Sequence, residues 1–463
     1  MPSWPDYSIW WHLYPLGFLG AERTALPPDE PARHCLPRLS NWLGYVVELG
    51  CNGLILGPVF ASETHGYDTV DHFKIDPRLG TEDDLVQLVQ AAKASGVRIV
   101  LDGVFNHVGR SFPAFADAVA NADRSPYADW FRRETADGAQ QQADGFRTFE
   151  GHHRLVELNH DSQDVVDYVA EVMNYWLDRG IDGWRLDAAY RIQPTFWRRV
   201  LSEVRARHPE AWFSGEVIHG DYAGYAAESG LDTVTQYELW KAIWSGLNDR
   251  NFFELAWALK RHNAMLESFA PQTFVGNHDV TRLASRLTDP RYLEHALVIL
   301  LTVGGIPSIY AGDERAMQGI KEDREGGDDA IRPAFPDDPS ALPAEGAGLA
   351  SYRLHQQLIG LRRRHPWLVR ARTEVGALTN TAMTYTLTDP AADAASGPAR
   401  RLAVALNLAD QPVRLKLPHG SWRGIAGSGG AGGNGGPGGG FGSDQVDVPA
   451  AGWAIADEAG APG

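Results

Sequence analysis

The sequence contains only two cysteines, Cys35 and Cys51, among its 463 residues. Two cysteines are too few for a disulfide framework, and their spacing matches no metal-binding motif. Basic residues are also scarce, because 42 Lys and Arg face 59 Asp and Glu, which gives a formal net charge of −17. Nucleic acids and anionic membranes both bind basic surfaces, so this charge balance argues against either as a partner.

Long apolar runs are absent as well. Residues 1–15 lack the basic stretch and apolar run of a secretory signal, and no segment reaches the length of a transmembrane helix. We therefore expect a cytoplasmic protein that does not insert into membranes. Aromatic side chains, in contrast, are plentiful. The 15 Trp and 15 Tyr offer flat apolar faces on which a ligand can stack, although most of them should belong to the core.

Most of the chain alternates short β-branched runs with amphipathic stretches, which is typical of βα units. One amphipathic stretch, residues 81–95, begins with Thr81 as a helix cap, and another covers residues 165–179. Eight runs predict strands, at residues 9–15, 52–60, 97–105, 182–187, 211–217, 231–236, 272–277 and 304–314. The pattern predicts an α/β protein in which residues 1–108 and 163–365 form a catalytic (β/α)8 TIM barrel.

Two segments depart from this alternation. Residues 109–162 are polar, rich in aromatics and without clear period, which predicts an insertion domain, domain B, after the third strand. Such an insertion lies at the face of a barrel where ligands bind. Residues 366–463 consist of short alternating runs that predict a C-terminal antiparallel β domain, a β-sandwich. Within it, residues 424–443 are nearly all glycine and other small residues, which predicts a flexible loop.

Three acidic residues each follow an apolar run that predicts a strand. They are Asp187 in GWRLDAAYR, Glu216 in WFSGEVIHG and Asp279 in FVGNHDVTR. Because barrel strands end at one face, we expect these carboxylates to gather there. A retaining glycosidase needs one carboxylate to attack the anomeric carbon and another to protonate the leaving oxygen. Each residue alone has an ordinary alternative, as a structural ion pair, a loop glutamate or a turn aspartate.

The neighbours of two of these carboxylates favour particular roles. Arg185 precedes Asp187 by two positions, so strand alternation places both side chains on one side. The guanidinium then keeps the carboxylate ionised, as a nucleophile requires. Glu216 lies between Gly215 and the apolar Val217, where partial desolvation raises the pKa of a carboxyl group and suits it to general acid and base catalysis. In a retaining enzyme two such carboxyl groups lie roughly 5–5.5 Å apart.

Seven motifs, in chain order, resemble those of the α-amylase family of retaining glycoside hydrolases. They are NGLILGPVF, HGYDTVDHFKIDPRLGT, DGVFNHV, GWRLDAAYR, SGEV, FVGNHD and GGIPSIYAGDE, and the likeness covers nearly all of the chain. The resemblance implies that Asp187 is the nucleophile, that Glu216 is the general acid and base, and that Asp279 binds hydroxyls of the sugar at the point of cleavage. It further implies substrate-binding side chains around that sugar: Tyr67, Asp68, His107, Arg185, His278 and Arg332. The match of Arg332 is the weakest of these, because its surroundings depart from the family pattern.

Two further residues of DGVFNHV are expected to have structural roles. Asp102 is expected to bond Arg185 or nearby backbone. Asn106 binds a structural calcium ion in many relatives, so the resemblance allows calcium here, although it implies no required cofactor. Carboxylates of the insertion could complete that site, but no run resembles a calcium loop. These carboxylates are Asp117, Asp123, Asp129 and Asp137.

The motifs are closest to those of neopullulanases and cyclomaltodextrinases, with LVELNH intermediate between oligo-1,6-glucosidases and neopullulanases. Those enzymes carry an N-terminal domain, whereas the first predicted strand here starts at residue 9. We expect a retaining hydrolase of mainly α-1,4-linked maltooligosaccharides or α-glucans. The motifs leave open glucosyl transfer or isomerisation, and hydrolysis of α-1,6 bonds or disaccharides, at the same site. A sugar-binding barrel without catalysis is disfavoured because all three acids are present.

Overall fold

The structure is a computed structural model that describes residues 4–134, 145–391, 400–428 and 444–458. Two predicted features, Asp137 and residues 429–443 of the glycine-rich segment, lie outside the described residues. The chain divides into two compact units. The N-terminal unit comprises residues 10–235 and 332–343, and the C-terminal unit comprises the rest.

The N-terminal unit contains ten strands and seven α-helices among its described residues. The strands are β1 (Trp10–Leu13), β2 (Gly53–Leu56), β3 (Phe60–Ser62), β4 (Thr69–Ile75), β5 (Arg98–Gly103), β6 (His107–Gly109), β7 (Leu155–Glu157), β8 (Gly183–Leu186), β9 (Trp212–Gly215) and β10 (Thr233–Val234). The helices are α1 (Pro15–Phe18), α2 (Leu43–Leu49), α3 (Glu82–Ala94), α4 (Pro113–Asn121), α5 (Gln163–Leu177), α6 (Pro194–Arg207) and α7 (Tyr222–Ser229).

Six strands of this unit form a parallel sheet in the order β10, β9, β8, β5, β2, β1. Trp10 of β1 stacks on Trp212 of β9 with ring centroids 4.9 Å apart, although these two strands are not neighbours in the sheet. Gly53 is required beside this pair, because a Cβ there would lie 2.3 Å from the Trp10 ring. Between β5 and α5 lie β6, α4 and β7, and β6 and β7 pair with each other in antiparallel fashion.

The helix boundaries follow local signals in the sequence. Thr81 caps α3 and forms a capping box, since its side chain accepts from the backbone of Asp84 while the Asp84 carboxylate accepts from the backbone of Thr81. Three acidic residues in the first turn further stabilise this helix through its dipole. The helix predicted from Thr81 is therefore confirmed.

The C-terminal unit contains the other two strands of the parallel barrel sheet, β11 (Gln272–Phe274) and β12 (Ile306–Tyr310), which pair with each other. Its helices are α8 (Tyr237–Asn248), α9 (Phe252–Leu266), α10 (Leu283–Arg286), α11 (Leu293–Thr302) and α12 (Ala347–Arg364). Its remaining strands are β13 (Arg372–Leu378), β14 (Ala382–Thr388), β15 (Arg401–Asn407), β16 (Val413–Lys416), β17 (Trp422–Gly427), β18 (Gln445–Val448) and β19 (Trp453–Glu458).

The later strands form two antiparallel sheets, one of five strands in the order β13, β14, β15, β19, β17 and one of the pair β16 and β18. Small side chains such as Ala403 and Ala454 pack against Leu415, Val446 and Val448 in a buried cluster. The predicted (β/α)8 barrel and C-terminal antiparallel β domain are confirmed, while the exact domain boundaries stay predictions. No helix of the described residues is both long enough and apolar enough to cross a membrane.

Candidate active site

A buried guanidinium lies at the centre of the predicted site in the N-terminal unit. Nη1 of Arg185 donates to both carboxylate oxygens of Asp102, at 2.7 and 2.6 Å, and to Oδ1 of Asp187 at 3.2 Å. Nη2 of the same side chain lies 2.9 Å from Oε1 of Glu216. One arginine therefore contacts both the predicted nucleophile and the predicted acid, and the predicted bond with Asp102 is present. Tyr67 joins the cluster, because its hydroxyl donates to Oδ2 of Asp102 at 3.3 Å.

Strand register explains why these side chains meet. In the parallel pair β5 and β8, Asp102 lies opposite Arg185, and in the pair β8 and β9, Arg185 lies opposite Ser214. Side chains two positions apart on a strand share a face, so Asp187 and Glu216 continue that face just beyond the strand ends. The site follows from the pairing of three neighbouring strands.

The electrostatics of the cluster are dominated by its three carboxylates. Arg185 is 3% exposed. Burial alone would disfavour its charge, but the charges of Asp102, Glu216 and Asp187 outweigh burial and hold the pKa of Arg185 well above its usual value. The guanidinium is therefore a permanent positive charge beside both predicted catalytic carboxylates.

A sharp turn at Ala188, directly after Asp187, places a backbone N–H against Glu216. Ala188 adopts a left-handed conformation, with φ 47° and ψ 33°, which is uncommon for a residue with a Cβ. Its backbone N–H donates to Oε2 of Glu216 at 3.1 Å. The backbone N–H of this strained turn therefore orients the Glu216 carboxyl group.

His107 and Asn106 lie beside this cluster in the chain, at the start of β6. His107 is buried, and burial together with repulsion from His65 lowers its pKa to about 3, so the ring is neutral at ordinary pH. Its Nδ1 lies 3.1 Å from the Asn106 side-chain nitrogen, and its buried Nε2 has no hydrogen-bond partner within the described parts of the chain. A neutral ring with an available nitrogen suits hydrogen bonding to a sugar hydroxyl.

The remaining predicted substrate-binding residues of this unit, Asp68 and Arg332, both contact neighbouring protein groups. Asp68 is buried, and its two oxygens accept from the backbone and the hydroxyl of Thr64 at 3.0 and 2.5 Å, which are the contacts of a turn aspartate. Arg332 places its guanidinium over the ring of Tyr14, 4.6 Å from the centroid. Burial raises the pKa of Tyr14, an effect that Arg332 opposes and the charge of Asp68 reinforces. A sugar-binding role for Asp68 and Arg332 stays a prediction.

The other predicted residues, His278 and Asp279, lie in the C-terminal unit just after β11. His278 is fully buried, and its Nε2 lies 3.1 Å from Oδ2 of the half-exposed Asp279. The backbone N–H of Asp279 donates to Asn277 at 2.9 Å, and the Asn277 amide donates to the hydroxyl of Tyr237 at 2.9 Å. This loop is therefore fixed by its own hydrogen bonds and presents the Asp279 carboxylate at its surface.

Sequence reasoning missed four side chains near the predicted site. Phe149 of the insertion stacks on His107, with centroids 4.6 Å apart, and Glu150 accepts a 2.8 Å hydrogen bond from Tyr190. Tyr14 supports Arg332 as described above. No local signal marks the contacts of Phe149 and Glu150, because these residues lie in an aperiodic segment and their partners are about forty residues away in the chain.

The calcium ion that the resemblance allows at Asn106 stays a prediction. Among the described residues, no three His, Cys, Asp or Glu side chains are grouped so that they could hold a metal ion. Asp117 accepts from Asn121 and Ser125, and Asp129 accepts from Asn159, so both serve contacts within the insertion. The Asn106 side chain contacts His107. We derive no catalytic step from calcium.

Comparisons with known proteins agree with these motifs. A family model described as "Alpha amylase, catalytic domain" matches residues 36–341. A cyclomaltodextrinase from Geobacillus thermopakistaniensis is 31% identical over 80% of this chain and 64% of its own length. An intracellular maltogenic amylase from Bacillus subtilis is 28% identical over 69% of this chain and 57% of its own length. The chain spans about three fifths of the length of the curated relatives it matches.

Among solved structures, the chain is similar to the ligand-free form of cyclic α-maltosyl-(1→6)-maltose hydrolase from Arthrobacter globiformis. The TM-score is 0.78, the sequence identity is 25%, and the match covers 98% of each chain. The likeness therefore extends over both units, including the antiparallel sheets that follow the barrel strands.

Proposed function

The chain belongs to the α-amylase family, and we propose that it is a retaining glycoside hydrolase that cleaves α-1,4-glucosidic bonds of maltooligosaccharides or α-glucans. The observation that carries the proposal is the Arg185 guanidinium, which contacts the carboxylates of both Asp187 and Glu216. Both carboxyl groups lie beside one fixed positive charge. Asp187 follows the end of a strand and suits the role of nucleophile, whereas Glu216 is oriented by a backbone N–H and suits the role of general acid and base.

In the first step, the Asp187 carboxylate attacks the anomeric carbon while Glu216 gives its proton to the glycosidic oxygen. The C–O bond to the leaving sugar breaks, and a glycosyl ester forms on Asp187. In the second step, Glu216 takes a proton from water, the water oxygen attacks the anomeric carbon, and the ester bond to Asp187 breaks. The product keeps its anomeric configuration, and Glu216 regains its proton.

The neighbouring groups are assigned supporting roles. Arg185 places a positive charge beside Asp187 and fixes the direction of its carboxylate, and Asp102 in turn fixes Arg185. His107, neutral because of its lowered pKa, hydrogen-bonds the donor sugar without adding charge. The resemblance assigns Asp279 and His278 to hydroxyls of the sugar at the point of cleavage, where they would favour its distorted ring in the transition state. We also assign Tyr67, Asp68 and Arg332 to the floor of that subsite, and these assignments rest on the resemblance.

The names of relatives support the substrate class and the location. A cyclomaltodextrinase and an intracellular maltogenic amylase match the chain, so we propose a cytoplasmic enzyme whose partner is an oligosaccharide or α-glucan. A sugar hydroxyl competes with water for the same glycosyl ester. For this reason, glucosyl transfer, or hydrolysis of α-1,6 bonds or small disaccharides, is the alternative outcome of the same site.

The test is a time course of products from maltotetraose, a cyclomaltodextrin, isomaltose and soluble starch, with the anomer of the first product read by proton NMR. We expect shortening of α-1,4 chains with the α-anomer released first. The variant Asp187→Asn should lose on the order of 10⁴-fold or more in kcat, as when a nucleophile is removed. The matched control Asp161→Asn replaces an aspartate that is 78% exposed, and it should act like wild type.

Other results of these measurements would contradict the proposal or favour its alternatives. A first product of β configuration would refute retention, and full activity of Asp187→Asn would refute the assignment of the nucleophile. Rearranged disaccharides that increase with added acceptor would favour transfer over hydrolysis. Activity on isomaltose with starch untouched would favour the α-1,6 alternative.

A further inference from the structure

A short turn of the insertion, Phe149–Gly151, contacts the predicted site at two places. At the first, the half-exposed ring of Phe149 stacks on the buried ring of His107, with centroids 4.6 Å apart and planes 23° from parallel. His107 begins β6, directly after the third barrel strand. Phe149 therefore covers one side of a ring that the proposed mechanism assigns to the donor sugar.

The second contact begins from a strained backbone. Glu150 has φ 48° and ψ 28°, a left-handed conformation that residues with a Cβ rarely adopt. Its Oε1 accepts a 2.8 Å hydrogen bond from the hydroxyl of Tyr190, forty positions along the chain. A tertiary hydrogen bond thus stabilises a turn that the local backbone disfavours.

Tyr190 is itself held beside the catalytic residues. It lies three positions after Asp187, its backbone N–H donates to the carbonyl of Glu216 at 3.1 Å, and its ring meets that of His219 at 5.6 Å. Burial, with the contact to Glu150, raises the pKa of the Tyr190 hydroxyl. The hydroxyl therefore keeps its proton over the working pH range and remains a donor to Glu150.

These contacts join the ends of two neighbouring barrel strands through one segment of the insertion. Phe149 rests on the side of the third strand and Glu150 is bonded to the side of the fourth, with Asp187 on the chain between the fourth strand and Tyr190. We propose that the Glu150–Tyr190 hydrogen bond is a specificity determinant, which holds the turn Phe149–Gly151 across this edge of the site and favours short maltooligosaccharides over long α-glucans. The inference rests on the proposed hydrolase function.

The physical reason is steric. A long glucan needs an open path past the cleavage point on both sides, whereas a short one needs only its own subsites. A turn anchored on both neighbouring strand ends would occupy space beside the cleavage point, and the half-exposed ring of Phe149 could stack on a sugar ring of a short substrate. Releasing one anchor should therefore widen the path for polymers and weaken the stacking of short chains.

The test compares kcat/KM for maltotriose with kcat/KM for amylose. Tyr190→Phe removes only the donor hydroxyl, and Glu150→Ala removes the acceptor together with its charge at an exposed position. Each should raise the ratio of amylose to maltotriose by about three- to tenfold, the scale of one hydrogen bond. Glu150→Gln, which keeps an acceptor oxygen, is the matched control and should change the ratio less than either.

A double variant separates this hydrogen bond from general disturbance of the site. If the two side chains act through their mutual bond, Tyr190→Phe combined with Glu150→Ala should change the ratio no more than either alone. Fully additive effects, or an unchanged ratio in active single variants, would overturn the proposal while leaving the hydrolase function intact. A wild-type protein that turns over neither substrate would refute the proposed function and this inference together.

Discussion

Two buried arginines, Arg185 in the N-terminal unit and Arg282 in the C-terminal unit, each lie near a predicted catalytic aspartate in the chain, yet their charge environments differ. Arg185 contacts three carboxylates, those of Asp102, Asp187 and Glu216. Arg282 contacts one, donating to Oδ1 of Asp313 at 2.9 Å, and it also bonds the carbonyl of Ala311 and covers the ring of Tyr310.

In the two clusters a different group has its pKa shifted. The carboxylates around Arg185 outnumber its charge and raise the pKa of the arginine. Around Arg282, burial of Asp313 outweighs its pairing with the arginine, and Glu314 adds repulsion, so the pKa of Asp313 rises to about 6. The Asp313 Oδ2 atom is buried and has no hydrogen-bond partner in the part of the chain that the structure describes. We infer that the first cluster keeps a fixed positive charge beside the two predicted catalytic carboxylates. The second is a buried structural ion pair that joins the segment after β12 to the loop of Asp279.

The largest expected difference is in activity. Arg185→Lys replaces a planar fork by a point charge that cannot reach Asp102, Asp187 and Glu216 at once. We expect kcat to fall on the order of 100-fold, the scale of a misplacement of about 1 Å in an active site. Arg282→Lys should lower kcat much less and mainly lower the thermal midpoint. Equal losses of kcat in the two variants would contradict the division between a chemical and a structural arginine.

The pH dependence of stability provides a second test, on Asp313. Its folded pKa of about 6 lies above the unfolded value of about 3.9, so the folded state binds the proton more tightly. The resulting stabilisation is fully present below pH 4 and is lost as the pH rises through 6. Asp313→Asn keeps an acceptor for Arg282 but cannot titrate. Relative to wild type, its free energy of unfolding should therefore improve by roughly 2 kcal/mol between pH 4 and pH 7.

Chemical denaturation at several pH values measures this difference, and only its change with pH is used, so any constant effect of the substitution drops out. A difference that stays constant from pH 4 to pH 7 would show that Asp313 does not titrate as inferred. Asp161→Asn, a substitution at an exposed aspartate, again serves as the control for replacing Asp by Asn.

The two clusters also show how far the sequence could be interpreted. The bond between Arg185 and Asp102 was predictable because strand period and barrel topology place both side chains on one face at neighbouring strand ends. The pair Arg282 and Asp313 was not, because Arg282 follows β11 in a loop without period. Loop conformation is decided by tertiary contacts rather than by local pattern. The same reason hid the hydrogen bond between Glu150 and Tyr190.

Packing beside Asp313 gives a third prediction. A Cβ at Gly276 would lie 2.1 Å from Oδ2 of Asp313, so Gly276→Ala forces the buried carboxylate or the loop of Asp279 to move. We expect about 2 kcal/mol of destabilisation, the usual scale of overpacking, with a measurable loss of kcat. Gly44→Ala is the control, because a Cβ at that helical position meets nothing within 4 Å and should be neutral or slightly stabilising. Equal effects at the two glycines would refute the steric argument.

The smallest expected effects come from two alanines in left-handed conformations, one beside each cluster. Ala188 has φ 47° and follows Asp187, and Ala316 has φ 52° in the segment after Asp313. Replacement by glycine removes about 1 kcal/mol of steric strain but adds 0.5–1 kcal/mol of roughly offsetting backbone entropy. Both variants should therefore stay within about 0.5 kcal/mol of wild type in urea denaturation.

Activity, however, should distinguish the two alanines. The backbone N–H of Ala188 donates to Glu216, whereas the N–H of Ala316 donates to the backbone carbonyl of Asp313. A more flexible glycine at position 188 loosens the orientation of the predicted general acid, so kcat should fall a few-fold in Ala188→Gly and remain unchanged in Ala316→Gly. If both variants retain full kcat, the strained turn does not orient Glu216, and the contrast between the clusters must rest on their charges alone.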